Sequence, residues 1–323
     1  MKRLAILTSY FSFFLRGCFK TLMFFLKPVE KALVRRYQGK ASINRPIFII
    51  GAPRTGSTIL YQVMTNCWDI GYINNLECSL HEIILAASKL SKIIFKNKSH
   101  NNFTAIHGGT NGLNSPSECG AFWYRWFPIN RHFVDQNELT LEQQGDMRKV
   151  VGGLIAVKEK PLLFKNLNCG QRIRAFSKIF PDAIFLFCRR DPLFVAQSLL
   201  KVRKERYGDF NKWWSIMPKE YSRIHTLNPR EQVVAQIYYI EEQIKKDLMN
   251  FYSDKYMVVS YEEFCKNPTR QLEEVRFFLA KQGVNLKMKK KINLDFVANK
   301  NRNIMNIDTI EELKKNIKNY FCE

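Results

Sequence analysis

The chain has 323 residues, of which 46% are apolar, ample for a hydrophobic core, and no Gly/Pro/Ser-rich linker divides its middle. Its 51 Lys and Arg against 29 Asp and Glu leave a net charge of +22, which calls for acidic partners. The charge comes without a nucleic-acid recognition motif or a regular interleaving of basic and aromatic residues, so nucleic acid is set aside as a partner.

Residues 1–40 hold nine Lys or Arg against one Glu, and Lys287 to Lys291 form a second basic cluster. Within the first segment, Leu4, Leu7, Phe11, Phe14, Cys18, Leu22 and Phe25 share one side of a helical wheel. Lys2, Ser9, Arg16, Lys20 and Lys27 fall on the other. Charges at mid-bilayer cost about 2.5–3.5 kcal/mol each on insertion scales, so a helix lying in the surface of an anionic membrane fits this pattern better than a spanning one. The expectation is a membrane-associating segment over 1–40 ahead of an α/β domain over 41–323, on a cytoplasmic, peripherally attached protein. A type II membrane anchor of the secretory pathway and a helix packed on the domain are the alternatives. No small-residue cleavage site follows the apolar run, which argues against a cleaved signal peptide.

From Ile47 onward short apolar runs alternate with longer helical ones. Strands are expected at Ile47 to Ile50, Pro161 to Phe164, Ala183 to Cys188 and Tyr256 to Ser260. Helices are expected at Ser57 to Asn66, Leu193 to Arg206, Arg230 to Phe251 and Thr269 to Lys281. This order implies a parallel sheet covered by helices on both faces, a three-layer P-loop-like sandwich. Thr309-Ile-Glu-Glu312 reads as a capping box opening a terminal helix.

The first strand runs into Gly51-Ala-Pro-Arg-Thr-Gly-Ser-Thr58, nearly the nucleotide-triphosphatase pattern G-x-x-x-x-G-K-[ST]. Gly51, Gly56 and Thr58 take the glycine and hydroxyl positions, but Ser57 stands where the lysine should be. That lysine reaches the β- and γ-phosphates, so the loop reads as a cradle for a nucleotide without a γ-phosphate, with Arg54 adding a fixed charge. A second strand ends in Arg190-Asp-Pro192, and the following helix carries Ser198, giving a second anion site at the carboxyl end of a strand.

Together these segments resemble the sulfotransferase family, which uses 3′-phosphoadenosine 5′-phosphosulfate (PAPS) as donor. The family's GxPRSGTT loop, matched by Arg54, Thr55, Gly56, Ser57 and Thr58, holds the 5′-phosphosulfate. Its R-D-P…S segment, matched by Arg190 and Ser198 at the same eight-residue spacing, holds the 3′-phosphate. Val258 to Pro268 resembles the late strand and Y-E-x-L-x-x-x-P element bordering the nucleotide, with Tyr261 as its tyrosine. The likeness spans roughly residues 45 to 282.

The resemblance implies sulfuryl transfer from PAPS to a hydroxyl of a carbohydrate, a lipid or another membrane-proximal acceptor, with no metal. Lys165 stands 25 residues before Arg190, the spacing of the catalytic lysine in the protein-tyrosine sulfotransferase branch, although Asn166-Leu167 replaces that branch's Asp-Pro. The branch's base is a Glu about twenty residues past the loop arginine, a place Glu77 takes here. Glu118, ahead of the aromatic run Phe122 to Phe127, is a second choice of base, and His107 a third. Trp213-Trp214 either closes over the site or plugs the core. The eight cysteines show no C-x-x-C and no metal spacing with histidine, which suits reduced thiols. A P-loop-type nucleotide or small-molecule kinase and a non-catalytic membrane adaptor on the same fold are the competing readings.

Overall fold

The computed structural model describes residues 21, 23–38, 45–96 and 98–322. In chain order the strands are β1 (Pro46–Gly51), the short pair β2 (Ala105–Ile106) and β3 (Gly109–Thr110), β4 (Leu162–Lys165), β5 (Ile184–Arg189) and β6 (Tyr256–Ser260). The helices are α1 (residues 23–37), α2 (Ser57–Cys67), α3 (Asn75–Ser79), α4 (Ile84–Phe95), α5 (Gly120–Trp123), α6 (Leu141–Lys158) and α7 (Ile173–Ile179). They continue with α8 (Pro192–Tyr207), α9 (Tyr221–Ile224), α10 (Pro229–Phe251), α11 (Tyr261–Lys266), α12 (Pro268–Lys281) and α13 (Ile307–Phe321).

Four strands make one parallel sheet in the order β4-β1-β5-β6. Side chains alternate across it, because successive residues of a strand face opposite ways. Ile47 and Ile49 of β1 meet Leu60, Val63 and Met64 of α2 and Leu272, Val275 and Leu279 of α12. Phe48 and Ile50 face the other layer, with α6, α7, α8 and α10. There Phe48 stacks on Phe164 (5.3 Å), Phe176 (4.9 Å) and Phe185 (5.4 Å). Burial on both faces explains why these strands read as continuous apolar runs.

The expected strands and the four expected helices all form, within two residues at each end. The terminal helix differs in its cap. Asn306, with extended backbone, accepts the N–H of Thr309, so α13 begins at Ile307 and Thr309 to Glu312 lie inside its first turns. Asn at this position satisfies an orphan N–H as well as Thr would, and it comes three residues earlier. Helix α6, which apolar periodicity did not disclose, opens on a capping box of Thr140 and Gln143.

Residues 1–20, 22, 39 and 40 of the basic N-terminal segment lie outside the described residues. Helix α1, however, belongs to the folded unit. Leu33, Val34 and Tyr37 pack on the main core, and Met23 is buried beside Leu80, Ile83 and Ala87. Glu30 is 4% exposed, and its carboxylate accepts the N–H groups of Leu85 (3.1 Å) and Ala86 (2.9 Å) at the start of α4. Burial raises its pKa, while those two backbone bonds pull it back. Among the described residues no helix is long and apolar enough to cross a membrane.

Glu30→Ala should therefore leave one buried and one half-buried donor unpaired and destabilise the protein by about 1–3 kcal/mol. Urea unfolding followed by circular dichroism measures this. A change within error of zero would show that the Glu30 bonds contribute nothing to the fold.

Candidate active site

The loop after β1 is shaped by backbone that side chains tolerate poorly. A Cβ on Gly51 (φ 149°) would lie 2.4 Å from the carbonyl oxygen of Cys188, so glycine lets the loop leave β1 against β5. A Cβ on Gly56 (φ 81°) would meet the Tyr261 ring at 2.4 Å. Arg54 is itself left-handed (φ 71°), a conformation that its own carbonyl helps to hold by accepting Arg190 Nη1 at 3.0 Å. Thr55 Oγ1 donates to the carbonyl of Ala52 (2.8 Å), closing the turn. Gly56 then caps α2 with no side-chain hydrogen bond, which leaves the first N–H groups of that helix available to an anion.

Arg190 is fixed on three sides. Besides the Arg54 carbonyl, it donates through Nε to Asn301 Oδ1 (2.8 Å) and lies over the Tyr261 ring, 4.4 Å from its centroid. Arg54 Nε donates to Ser198 Oγ (2.8 Å), so the loop arginine and the second motif's serine are joined directly. Burial pulls the Arg54 pKa below the usual guanidinium value, and the nearby Arg190 charge adds to the effect. Burial also lowers that of Arg190. Two desolvated like charges side by side are a strong attraction for a polyanion.

Lys165 ends β4 with its side chain 1% exposed. Its ammonium donates to Thr58 Oγ1 (3.1 Å) and to Glu118 Oε1, linking the loop to one of the two proposed carboxylates. The tip of the β2–β3 hairpin closes over this pair. A Cβ on Gly108 would lie 2.8 Å from Glu118 Oε1 and 3.8 Å from Lys165 Nζ. His107, at the same tip, stands 3.9 Å from Glu205 and against Trp214.

A cavity of about 320 Å³ results, and Arg54, Gly56, Ser57, Thr58, Glu118, Lys165, Arg190 and Tyr261 all line it. Three expected residues do not. Thr55 turns its hydroxyl into the loop, and Ser198 reaches the site through Arg54. Glu77 is 0% exposed, pairs with Lys158 and completes the capping box of α3 with Asn74, so its carboxylate is turned away from the cavity. The tryptophans part company. Trp214 lines the cavity, while Trp213 lies under Arg203 and against Tyr221.

The model of the sulfotransferase family matches residues 46–281. The chain belongs to that family. Sulfotransferase STF9 from Mycobacterium avium is similar in structure over 87% of this chain and 69% of its own, at 12% identity and a TM-score of 0.48. Sulfotransferase STF1 from Mycobacterium tuberculosis H37Rv is similar over 80% and 73%, at 14% identity and 0.48. A sulfotransferase from Alicyclobacillus acidocaldarius is similar over 87% and 94%, at 20% identity and 0.43. Curated proteins give no match.

This sulfotransferase builds one wall that the motifs left unmarked. Phe296, Val297, Ala298 and Lys300 line the cavity from a segment without regular structure. Lys300 N–H donates to Tyr261 Oη (3.0 Å), Asn301 donates to Glu262 (2.8 Å), and Ile304 N–H donates to Gln197 (2.8 Å). The polar run Asn299 to Asn303 was the available signal, but it carries neither period nor motif. Among the described residues no group of three or more His, Cys, Asp and Glu is placed to hold a metal ion.

Proposed function

We propose that this enzyme transfers the sulfuryl group of PAPS to a hydroxyl of a carbohydrate, lipid or other membrane-proximal acceptor. The carrying observation is that Lys165 bonds both Thr58 of the loop and Glu118, on the floor of a cationic cavity. The residues fit the donor by charge and shape. Arg54 and the uncapped start of α2 suit a 5′-phosphosulfate, and Arg190 suits a 3′-phosphate. Ile59, Phe103 and Phe296 offer apolar surface to a planar base.

Sulfuryl transfer is an in-line displacement, close in logic to phosphoryl transfer. Charge grows on the bridging oxygen as the S–O bond breaks, and the ammonium of Lys165 is the cation available to it. The acceptor hydroxyl must lose its proton on the opposite side of sulfur. Glu118 is the carboxylate that lines the cavity, and its Oε1 is released when Lys165 turns to the bridging oxygen, so we assign it as the base in place of Glu77. Gly108, His107, Asn168 and Trp214 surround the place where the acceptor would enter. The activity itself is tested by incubating the protein with radiolabelled sulfate donor and fractionated cell extract.

Arg190→Ala should weaken binding of adenosine 3′,5′-bisphosphate about tenfold to a hundredfold, since each charge-assisted bond is worth about 1.5–3 kcal/mol. Isothermal titration reads this, with ATP as the control for a kinase. Unchanged affinity would remove the 3′-phosphate assignment, and preference for ATP would favour the kinase.

Lys165→Ala should lower turnover by about 10²–10³ while largely sparing donor affinity. Glu118→Gln should lower it by about 10²–10⁴ with donor affinity likewise spared. If Glu77→Gln shows that signature and Glu118→Gln does not, the base is Glu77.

Membrane attachment through the N-terminal segment is supported by Phe24 and Phe25, which are 69% and 70% exposed on the outer side of α1. Each basic residue near an anionic surface adds about 1 kcal/mol. The full-length protein should sediment with phosphatidylserine vesicles at low salt, and Phe24→Ser with Phe25→Ser should reduce the bound fraction. Equal sedimentation with neutral and anionic vesicles would remove the electrostatic part of this reading.

A further inference from the structure

Away from the donor cavity, lysines from three parts of the chain converge at the outer edge of β4. We propose that this edge carries a second anion-binding site, suited to one phosphate- or sulfate-type dianion. A pocket of about 70 Å³ is lined there by Lys92, Lys98, Lys158, Lys160 and Lys289, and it shares no lining residue with the donor cavity. The space admits a small tetrahedral oxyanion.

The backbone holds this cluster in place. Gly71 bridges to Leu162 at the sheet edge, and Trp68 bridges to Met288. Lys289 N–H donates to the carbonyl of Cys67 at 2.7 Å, and Asp69 N–H donates to that of Lys287 at 2.9 Å. The basic cluster at Lys287 to Lys291 is thereby fixed against the lysines that precede β4, rather than left as a solvated run.

Charge accounting selects the ligand. Lys92 pairs with Glu159 (2.7 Å), Lys160 with Asp69 (2.6 Å) and Lys158 with the buried Glu77. Lys98 and Lys289 have no carboxylate within ion-pair distance among the described residues. Five ammonium groups against three carboxylates leave two positive charges, the complement of one dianion. Burial and the charge of Lys160 hold the Lys289 pKa below its ordinary value, against the opposing pull of Asp69. The pocket also contains a hydrogen-bond donor with nothing to bond. Ser88 is 2% exposed, lines the pocket, and its Oγ has no partner. Lysines supply point charge and a hydroxyl supplies direction, the combination that binds a phosphate or sulfate oxygen. The group can arrive as the free ion or as an ester on a larger molecule.

The test reads individual lysines and so does not depend on the donor assignment. The full-length protein is acetylated in inorganic phosphate and in sodium chloride at matched ionic strength, and each lysine is quantified by mass spectrometry. At a phosphate concentration twice the dissociation constant, Lys98, Lys160 and Lys289 should react about threefold more slowly, with exposed Lys201 unchanged. Slower reaction at Lys165 alone would report the donor cavity and overturn the proposal. Glucose 6-phosphate separates the sources. Equal protection by it shows that the site accepts an ester as well as the free ion, and protection by inorganic phosphate alone assigns it to the free ion. Ser88→Ala should lessen protection of Lys160, as should Lys289→Gln, a surface change that leaves the core untouched. Equal rates in phosphate and chloride would overturn the proposal, as would full protection persisting in Lys289→Gln.

Discussion

The parallel register of β1 with its two neighbours is the constraint on which the site depends. Ile49 lies opposite Lys165, Gly51 opposite Cys188, and Arg189 opposite Ser260, so four strands release their chains at one edge of the sheet. That edge receives the glycine loop, the lysine, Arg190 and Tyr261 without any one of them being near another in sequence. A slip of one residue would turn Lys165 to the other face and bring an apolar neighbour to the cavity floor. The aromatic stack on Phe48 resists such a slip, because Phe164 and Phe185 meet it only in this register.

At that edge the fold tolerates charge that would be costly elsewhere. Arg54 and Arg190 are desolvated neighbours of like sign, and among the described residues neither has a carboxylate within ion-pair distance. They are held by a serine hydroxyl, a backbone carbonyl, an asparagine oxygen and an aromatic face, all of which fix direction without cancelling charge. Such an arrangement gives up stability for a preorganised cationic surface. The segment from Ala298 to Ile304 shares in this, since it bonds to Tyr261, Glu262, Arg190 and Gln197 at once.

Much of this was legible in the chain. Strands buried on both faces appear as apolar runs whatever their neighbours, and a glycine-bounded turn into a helix is local, so Gly51 to Thr58 and Arg190 could be found by inspection. The carboxylates could not be ranked in that way. Glu77 and Glu118 look alike in sequence, and they are separated by what lies beside them: Lys158 draws Glu77 into the packed interior, and Lys165 holds Glu118 at the cavity. Helix α1 shows the same limit. Its apolar and basic sides suit a membrane surface, yet Glu30 is buried because the start of α4 needs an acceptor.

By itself, then, the sequence determined the sheet, the loop that starts α2 and the pair of arginines, since each follows from residues adjacent in the chain. The tertiary structure decided which carboxylate meets Lys165, which tryptophan faces the cavity, and that the stretch after Phe296 forms a wall. It also brought five lysines from three parts of the chain to one pocket. Those outcomes rest on long-range pairing and burial, and the identity of a residue does not say which distant partner will satisfy its charge or its hydrogen bond.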